Sequence, residues 1–198
     1  MQYEFLPLAR KLVNGKLIPI PGFQVWMDLS RPESRGVVSL RSANPADAPS
    51  IVFNHMESRQ DMTDMIDGIR LTRTLVSQSA WDKYRREELA PGPDVTSDTE
   101  IEAFVRRATG TSYHPSTCRM GVDPDAVVDT DGKVNALRRL RIVDASIMPK
   151  TVTGNLNAPV MMMAEKISDR IRGRNPLPPS RAGYYRRNPN RPRRLEHQ

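Results

Sequence analysis

Leu140-Arg-Ile-Val-Asp-Ala-Ser-Ile-Met-Pro149, followed shortly by Thr153-Gly-Asn-Leu-Asn-Ala-Pro-Val160, is the stretch on which the fold turns. Leu140-Arg-Ile-Val-Asp144 is short, apolar at alternate-to-adjacent positions and ends on an acid, which predicts a strand. After a loop, Asn157 is a suitable helix N-cap, and Pro159 suits the first turn, where its missing N–H has no partner to lose. Val160, Met163, Ala164, Ile167 and Ile171 then fall on one helical face. The stretch is therefore expected to form a βα unit. Its helix would point free N–H groups and the positive end of its dipole at whatever lies in front, a setting that suits anions or groups that become anionic. The plainer reading is a well-capped helix and nothing more.

Working outward, Ser58–Gln78 is predicted to be a helix capped by Ser58, with Met62, Met65, Ile66, Ile69, Arg73 and Val76 at helical spacing. Ser97-Asp-Thr-Glu100 has the form of a capping box and opens a second helix that ends near Thr109-Gly110. Nearer the start, Phe23–Leu29 and Arg35–Arg41 alternate as strands do. The turn-rich connection Ser30-Arg-Pro-Glu-Ser-Arg-Gly36 predicts that they pair antiparallel. Ile51-Val52-Phe53 is a further short strand. Asp129-Thr-Asp-Gly132 suits a tight turn between Val127-Val128 and Val134. A calcium loop is disfavoured there because its first ligand position falls on Val127.

The chain has 198 residues and a formal net charge of +7. Residues 170–198 hold nine arginines against one acid, Glu196, so the basic character belongs to the end of the chain. That segment is also rich in proline, and an extended, solvated tail is expected. An RNA-binding arm would interleave stacking aromatics with its arginines, and only Tyr184 and Tyr185 are present, so no nucleic-acid partner is expected. Peripheral contact of the arginines with anionic lipid stays open. The longest apolar run, Ala158–Ala164, is far short of the roughly 20 residues that span a bilayer. A single cysteine, Cys118, excludes an internal disulfide framework and a multi-cysteine zinc site. With no signal peptide in evidence, a cytoplasmic setting or the inner face of the membrane is expected.

Three histidines are candidates for chemistry. His197 lies in the tail and His55 in an ordinary loop, whereas His114 sits in Gly110-Thr-Ser-Tyr-His-Pro-Ser-Thr-Cys-Arg-Met-Gly121, a run of small polar residues. The proline after it favours an extended backbone that exposes the ring. A hydrogen-bonded core histidine is the alternative. A Cys118–His114 nucleophile pair is disfavoured, because nothing nearby supplies a positive helix terminus for a thiolate. Neither a dinucleotide nor a phosphate-loop glycine pattern occurs.

The motifs Ser112-Tyr-His-Pro-Ser-Thr-Cys-Arg-Met-Gly121, Leu140–Pro149, Thr153–Pro159 and Ala164-Glu-Lys-Ile167, in that order, resemble the glucose–methanol–choline (GMC) flavin oxidoreductases over residues 3–173. Arg70-Leu-Thr-Arg73, Glu88-Leu-Ala-Pro-Gly92 and the Ile171-Arg-Gly-Arg-Asn-Pro-Leu-Pro-Pro-Ser180 tail resemble its choline-oxidising bacterial branch. The resemblance implies an α+β chain in three parts. Residues 1–138 would be an antiparallel-sheet substrate domain with flanking helices, 139–173 the last strand and helix of a Rossmann-like FAD domain, and 174–198 the Arg/Pro-rich tail. It further implies FAD as cofactor and a small primary alcohol, choline, as substrate, oxidised to betaine aldehyde. His114 would take the hydroxyl proton and Asn157 would hold the same oxygen. Asp144 and Ala145 would meet the phosphate-bearing chain of FAD. Asn157, Ala158 and Val160 would lie near its isoalloxazine ring, and Tyr113 on the substrate side.

One departure is large. The family's glycine-rich fingerprint near the N-terminus is missing, so the chain is expected to be the C-terminal portion of a longer enzyme. By itself it is expected neither to retain flavin nor to oxidise alcohol.

Overall fold

The computed structural model describes residues 1–13, 15–110, 113–175 and 177–183, and the expectations for Tyr184, Tyr185 and His197 fall outside them. Among the described residues six strands come first: β1 (Gln2–Leu6), β2 (Ala9–Val13), β3 (Lys16–Ile20), β4 (Gln24–Asp28), β5 (Val37–Ser39) and β6 (Ser50–Val52). Three helices follow: α1 (Arg59–Val76), α2 (Asp98–Ala108) and α3 (Asn157–Ile171). The architecture is α+β, as expected, with three two-stranded antiparallel ladders, β1–β4, β2–β3 and β5–β6.

The expected pairing of 23–29 with 35–41 does not form. β4 pairs along all five residues with β1, Gln2 opposite Asp28 and Leu6 opposite Gln24, and β5 pairs instead with β6. A five-residue partner satisfies more of β4's backbone than the three residues of β5 would. The β1–β4 ladder is fastened by Trp81, which stacks between Phe5 (5.6 Å) and Phe23 (4.9 Å).

α1 and α2 bury their apolar faces together. Met62, Ile66 and Ile69 meet Ile101 and Val105, with Met56 beneath and Met27 and Phe104 at the margin. The spacing of these residues dictates the packing. Arg73 lies in the same stripe of α1 because it has a partner. Its guanidinium makes paired bonds to Glu88 (Nε–Oε2 3.0 Å, Nη2–Oε1 2.9 Å) and reaches the Gly92 carbonyl at 3.0 Å. The capping box at Ser97 and Glu100 is present. Ser58 occupies the N-cap of α1, but its side chain does not cap. Its hydroxyl donates to Glu33 Oε2 instead.

Asp61, in the first turn of α1, is only 2% exposed. It accepts the backbone N–H groups of Glu33 and Ser34, each at 2.8 Å, and the Ser34 hydroxyl. Burial pulls its carboxyl up, but the Ser34 hydroxyl, the two backbone donors and the charge of Arg35 outweigh that and hold it below the usual carboxylate range.

The remainder of the chain is built differently. Val128, Ile147 and Ile167 form a second core, ringed by Met120, Val134, Ile142 and Met163. Its backbone has single bridges, Met120 with Val128, Val128 with Val134 and Lys133 with Arg141, in place of ladders. The expected strand 140–144 is thus reduced to one bridge at Arg141. No longer strand lies beside it among the described residues to extend the pairing. The expected turn at Asp129–Gly132 forms, with the Gly132 N–H on the Asp129 carbonyl at 3.0 Å. Glycine is required there: φ is +73°, and a Cβ would lie 2.8 Å from the Ile142 carbonyl oxygen.

Candidate functional site

The run containing His114 is laid against residues 145–147 by its backbone. Ser116 N–H donates to Ala145 C=O (3.3 Å), Cys118 N–H to Ser146 C=O (2.9 Å) and Met120 N–H to Ile147 C=O (2.8 Å). Ser116 has φ +77°, a conformation that costs about 1–2 kcal/mol away from glycine and turns the chain just after His114-Pro115. At the far end of the run, Arg119 makes paired bonds to Asp123 at 2.8 and 2.6 Å. Those bonds hold the Asp123 carboxyl down to about 2.

The opposite wall comes from the α3 end of the same half. Asp144 accepts the Ser146 N–H on Oδ1 at 2.8 Å and so fixes the single turn Ala145–Ile147. The chain then reaches Leu156, which is buried. Just ahead of it, Gln2 of β1 donates from Nε2 to Asn155 Oδ1 at 3.0 Å and steadies the approach to α3. The expected asparagine cap is not made. Leu156, already helical, takes the N-cap position, and Asn157 is the first helical residue. The reason lies in the core: burying Leu156 draws the helix start back by one residue. Asn157 is therefore not folded over its own N–H groups.

Tyr113, His114, Ala145, Leu156, Asn157 and Val160 line one cleft of about 270 Å³. His114 and Asn157, distant in sequence, thus share a cavity. Five of the residues singled out by sequence line it: Tyr113, His114, Ala145, Asn157 and Val160. Asp144 and Ala158 do not. Asp144 is exposed beside the cleft with one carboxylate oxygen committed to its own turn, and Ala158 is exposed on α3. Leu156 was not singled out. An apolar residue between two asparagines carries no chemical signal, and only its burial places it in the wall. Cys118 is not among the lining residues. A larger recess of about 520 Å³, lined by Arg31, Glu33, Arg35 and Lys150 among others, contains none of the expected site residues.

What this wall offers is specific. Ala145, Leu156 and Val160 are apolar, His114 and Asn157 bring one imidazole and one carboxamide, and the first turn of α3 has backbone N–H groups without intrahelical acceptors. Such a set suits a small group with a polar oxygen held against an apolar wall.

A family model described as GMC oxidoreductase matches residues 32–164. The chain belongs to the GMC oxidoreductase family. Among curated GMC relatives, the chain is 51% identical over 186 residues, 93% of its length, to the oxygen-dependent choline dehydrogenase of Pseudomonas fluorescens (strain SBW25). It is 49% identical over the same share to that of Chromohalobacter salexigens. It spans 33% of each of those relatives, about a third of their length. Among solved structures, Aspergillus oryzae formate oxidase superposes with a TM-score of 0.71 at 30% identity, over 76% of this chain and 27% of that one. Pyridoxine 4-oxidase from "Mesorbium loti" superposes with a TM-score of 0.67 at 32% identity, over 77% and 29%.

Proposed function

We propose that the chain supplies the substrate-facing wall and acid–base pair of an FAD-dependent alcohol oxidoreductase that converts choline to betaine aldehyde. The observation that carries this reading is the single cleft containing both His114 and Asn157. The family membership and the 51% identity to choline dehydrogenases support the substrate class. In this reading, residues 1–138 form the substrate-binding part, 139–173 belong to the FAD domain, and the rest of that domain lies in the portion of the relatives that the chain does not span.

The cleft residues fit the cofactor. Ala145 and Val160 would lie against the flat ring, and the N–H groups at Asn157 and Ala158 would face its polar edge, where the helix dipole favours negative charge. Asp144 fixes the turn that presents Ala145 through one carboxylate oxygen, and the other would accept from a hydroxyl of the phosphate-bearing chain. Bound FAD supplies the acceptor for the hydride that leaves the alcohol carbon. His114 accepts the hydroxyl proton on a neutral ring nitrogen, a contribution of about 10²–10⁴-fold for a well-placed base. Asn157 donates its carboxamide N–H to the same oxygen and fixes the direction from which the alcohol carbon approaches. Tyr113, 60% exposed in the cleft lining, would offer an aromatic face to a quaternary ammonium.

The test is the His114→Ala variant in the longer, FAD-loaded enzyme of which the chain would be the C-terminal portion. It should lose about 10²–10⁴-fold in kcat with choline while keeping its flavin absorbance. Unchanged turnover would remove His114 from this role, and a preference for another primary alcohol over choline would retain the chemistry but change the substrate. For the arginine-rich end, we propose peripheral contact with anionic lipid at the inner membrane face, checked by salt-sensitive cosedimentation with anionic vesicles.

A further inference from the structure

We propose that Phe53 is a positioning residue for His114, holding its imidazole in the orientation that faces the cleft. The inference rests on the reading of His114 as proton acceptor. The two rings are 5.3 Å apart between centroids and tilted by 41°. Phe53 also stacks nearly parallel on His55, at 5.1 Å and 6°. His114 is exposed, and among the described residues no hydrogen bond reaches its ring nitrogens, so the aromatic face is what limits rotation of the ring.

Phe53 is itself 44% exposed, so filling the core does not account for it. Its backbone is nevertheless tightly held. A Cβ at Gly36 would lie 2.4 Å from the Val52 carbonyl oxygen and 2.9 Å from that of Phe53, so only glycine lets the two segments approach this closely. Asn54, at φ +52°, donates from Nδ2 to the Arg35 carbonyl at 3.0 Å. Met56 then enters the α1–α2 core. The half-exposed ring is thus mounted on the better-packed half of the molecule, and it reaches across to a histidine mounted on the other. A proton acceptor must present its nitrogen within hydrogen-bond reach of the hydroxyl, and a misplacement of about 1 Å costs on the order of 100-fold.

The first readout is magnetic resonance of the full chain labelled at histidine and phenylalanine. Wild type should show through-space contacts between the Phe53 and His114 ring protons, with the His114 resonances displaced by the phenyl ring current. Phe53→Leu should abolish both, and Phe53→Tyr should keep them. In the FAD-loaded enzyme, Phe53→Leu should lower kcat about 10- to 100-fold with KM for the alcohol nearly unchanged, and Phe53→Tyr should restore it. Absence of the ring contacts in wild type overturns the inference, and so does a Phe53→Leu enzyme with full kcat. Should Phe53→Leu fail to fold, the wild-type contacts and His55→Ala decide. Removing the imidazole stacked on Phe53 should let the phenyl ring move and so shift the His114 resonances, and an unmoved spectrum counts against the proposal. Loss of the contacts leaves the assignment of His114 standing, whereas an active His114→Ala enzyme removes that assignment without touching the contacts.

Discussion

The two halves of the molecule reach stability by different routes. In the α1–α2 half, side chains at helical spacing on two long helices bury one another. In the α3 half, a core of three buried residues is surrounded by single bridges and short turns, and three backbone bonds tie residues 116–120 to residues 145–147. The cleft lies in the second half. Irregular backbone presents His114 there, at a cost such as the left-handed Ser116, while Asn157 and Val160 come from α3. The regular half has no such residues in the cleft, and it anchors the elements that reach toward the site.

This division predicts that substitutions in the two halves are read by different instruments. Asp61→Ala removes the acceptor of two backbone N–H groups and a hydroxyl, and should lower stability by about 3 kcal/mol in denaturant unfolding without altering kcat of the refolded enzyme. A matching loss of kcat would blur the division. Because the folded protein holds the Asp61 carboxyl below its ordinary value, the folded state binds fewer protons than the unfolded one near pH 4. The stabilisation is complete above that pH and fades as pH falls through the lower folded value. Melting temperature followed from about pH 6 to 2.5 should therefore drop more steeply in wild type than in Asp61→Asn.

In the other half, Asn157→Ala should leave the melting temperature nearly unchanged. It should lower kcat by about 100-fold, the scale for loss of one donor to a charged reacting oxygen. A variant that melts early but turns over normally would return Asn157 to a structural role. The smallest expected effect is that of Ser97→Ala. Loss of the capping box should cost about 1 kcal/mol, measured by thermal unfolding, with no kinetic change.

The regular half was largely legible in the sequence, because its signals are local. Helical spacing along α1 and the Ser97–Glu100 box need no knowledge of the rest of the chain. Strand partners were not legible. β4 could meet β5 or β1 by pattern alone, and β1 to β3 are short and interrupted by Pro7, Pro19 and Pro21. The caps misled for the same reason: Ser58 found Glu33 and Leu156 found the core, both long-range events. In the site, the family motifs singled out His114 and Asn157, whose spacing alone would not bring them together. Leu156 and Phe53 carry no motif, and their positions follow only from packing.

The central claim is that His114 and Asn157 act on one oxygen. It is tested most directly by a double-mutant cycle on kcat in the FAD-loaded enzyme, with His114→Ala, Asn157→Ala and the pair. Two residues holding the same atom should be coupled, so the double variant should lose much less than the product of the two single losses. Losses that simply multiply would mean that the two residues act independently, and the shared cleft would not be a shared reaction site.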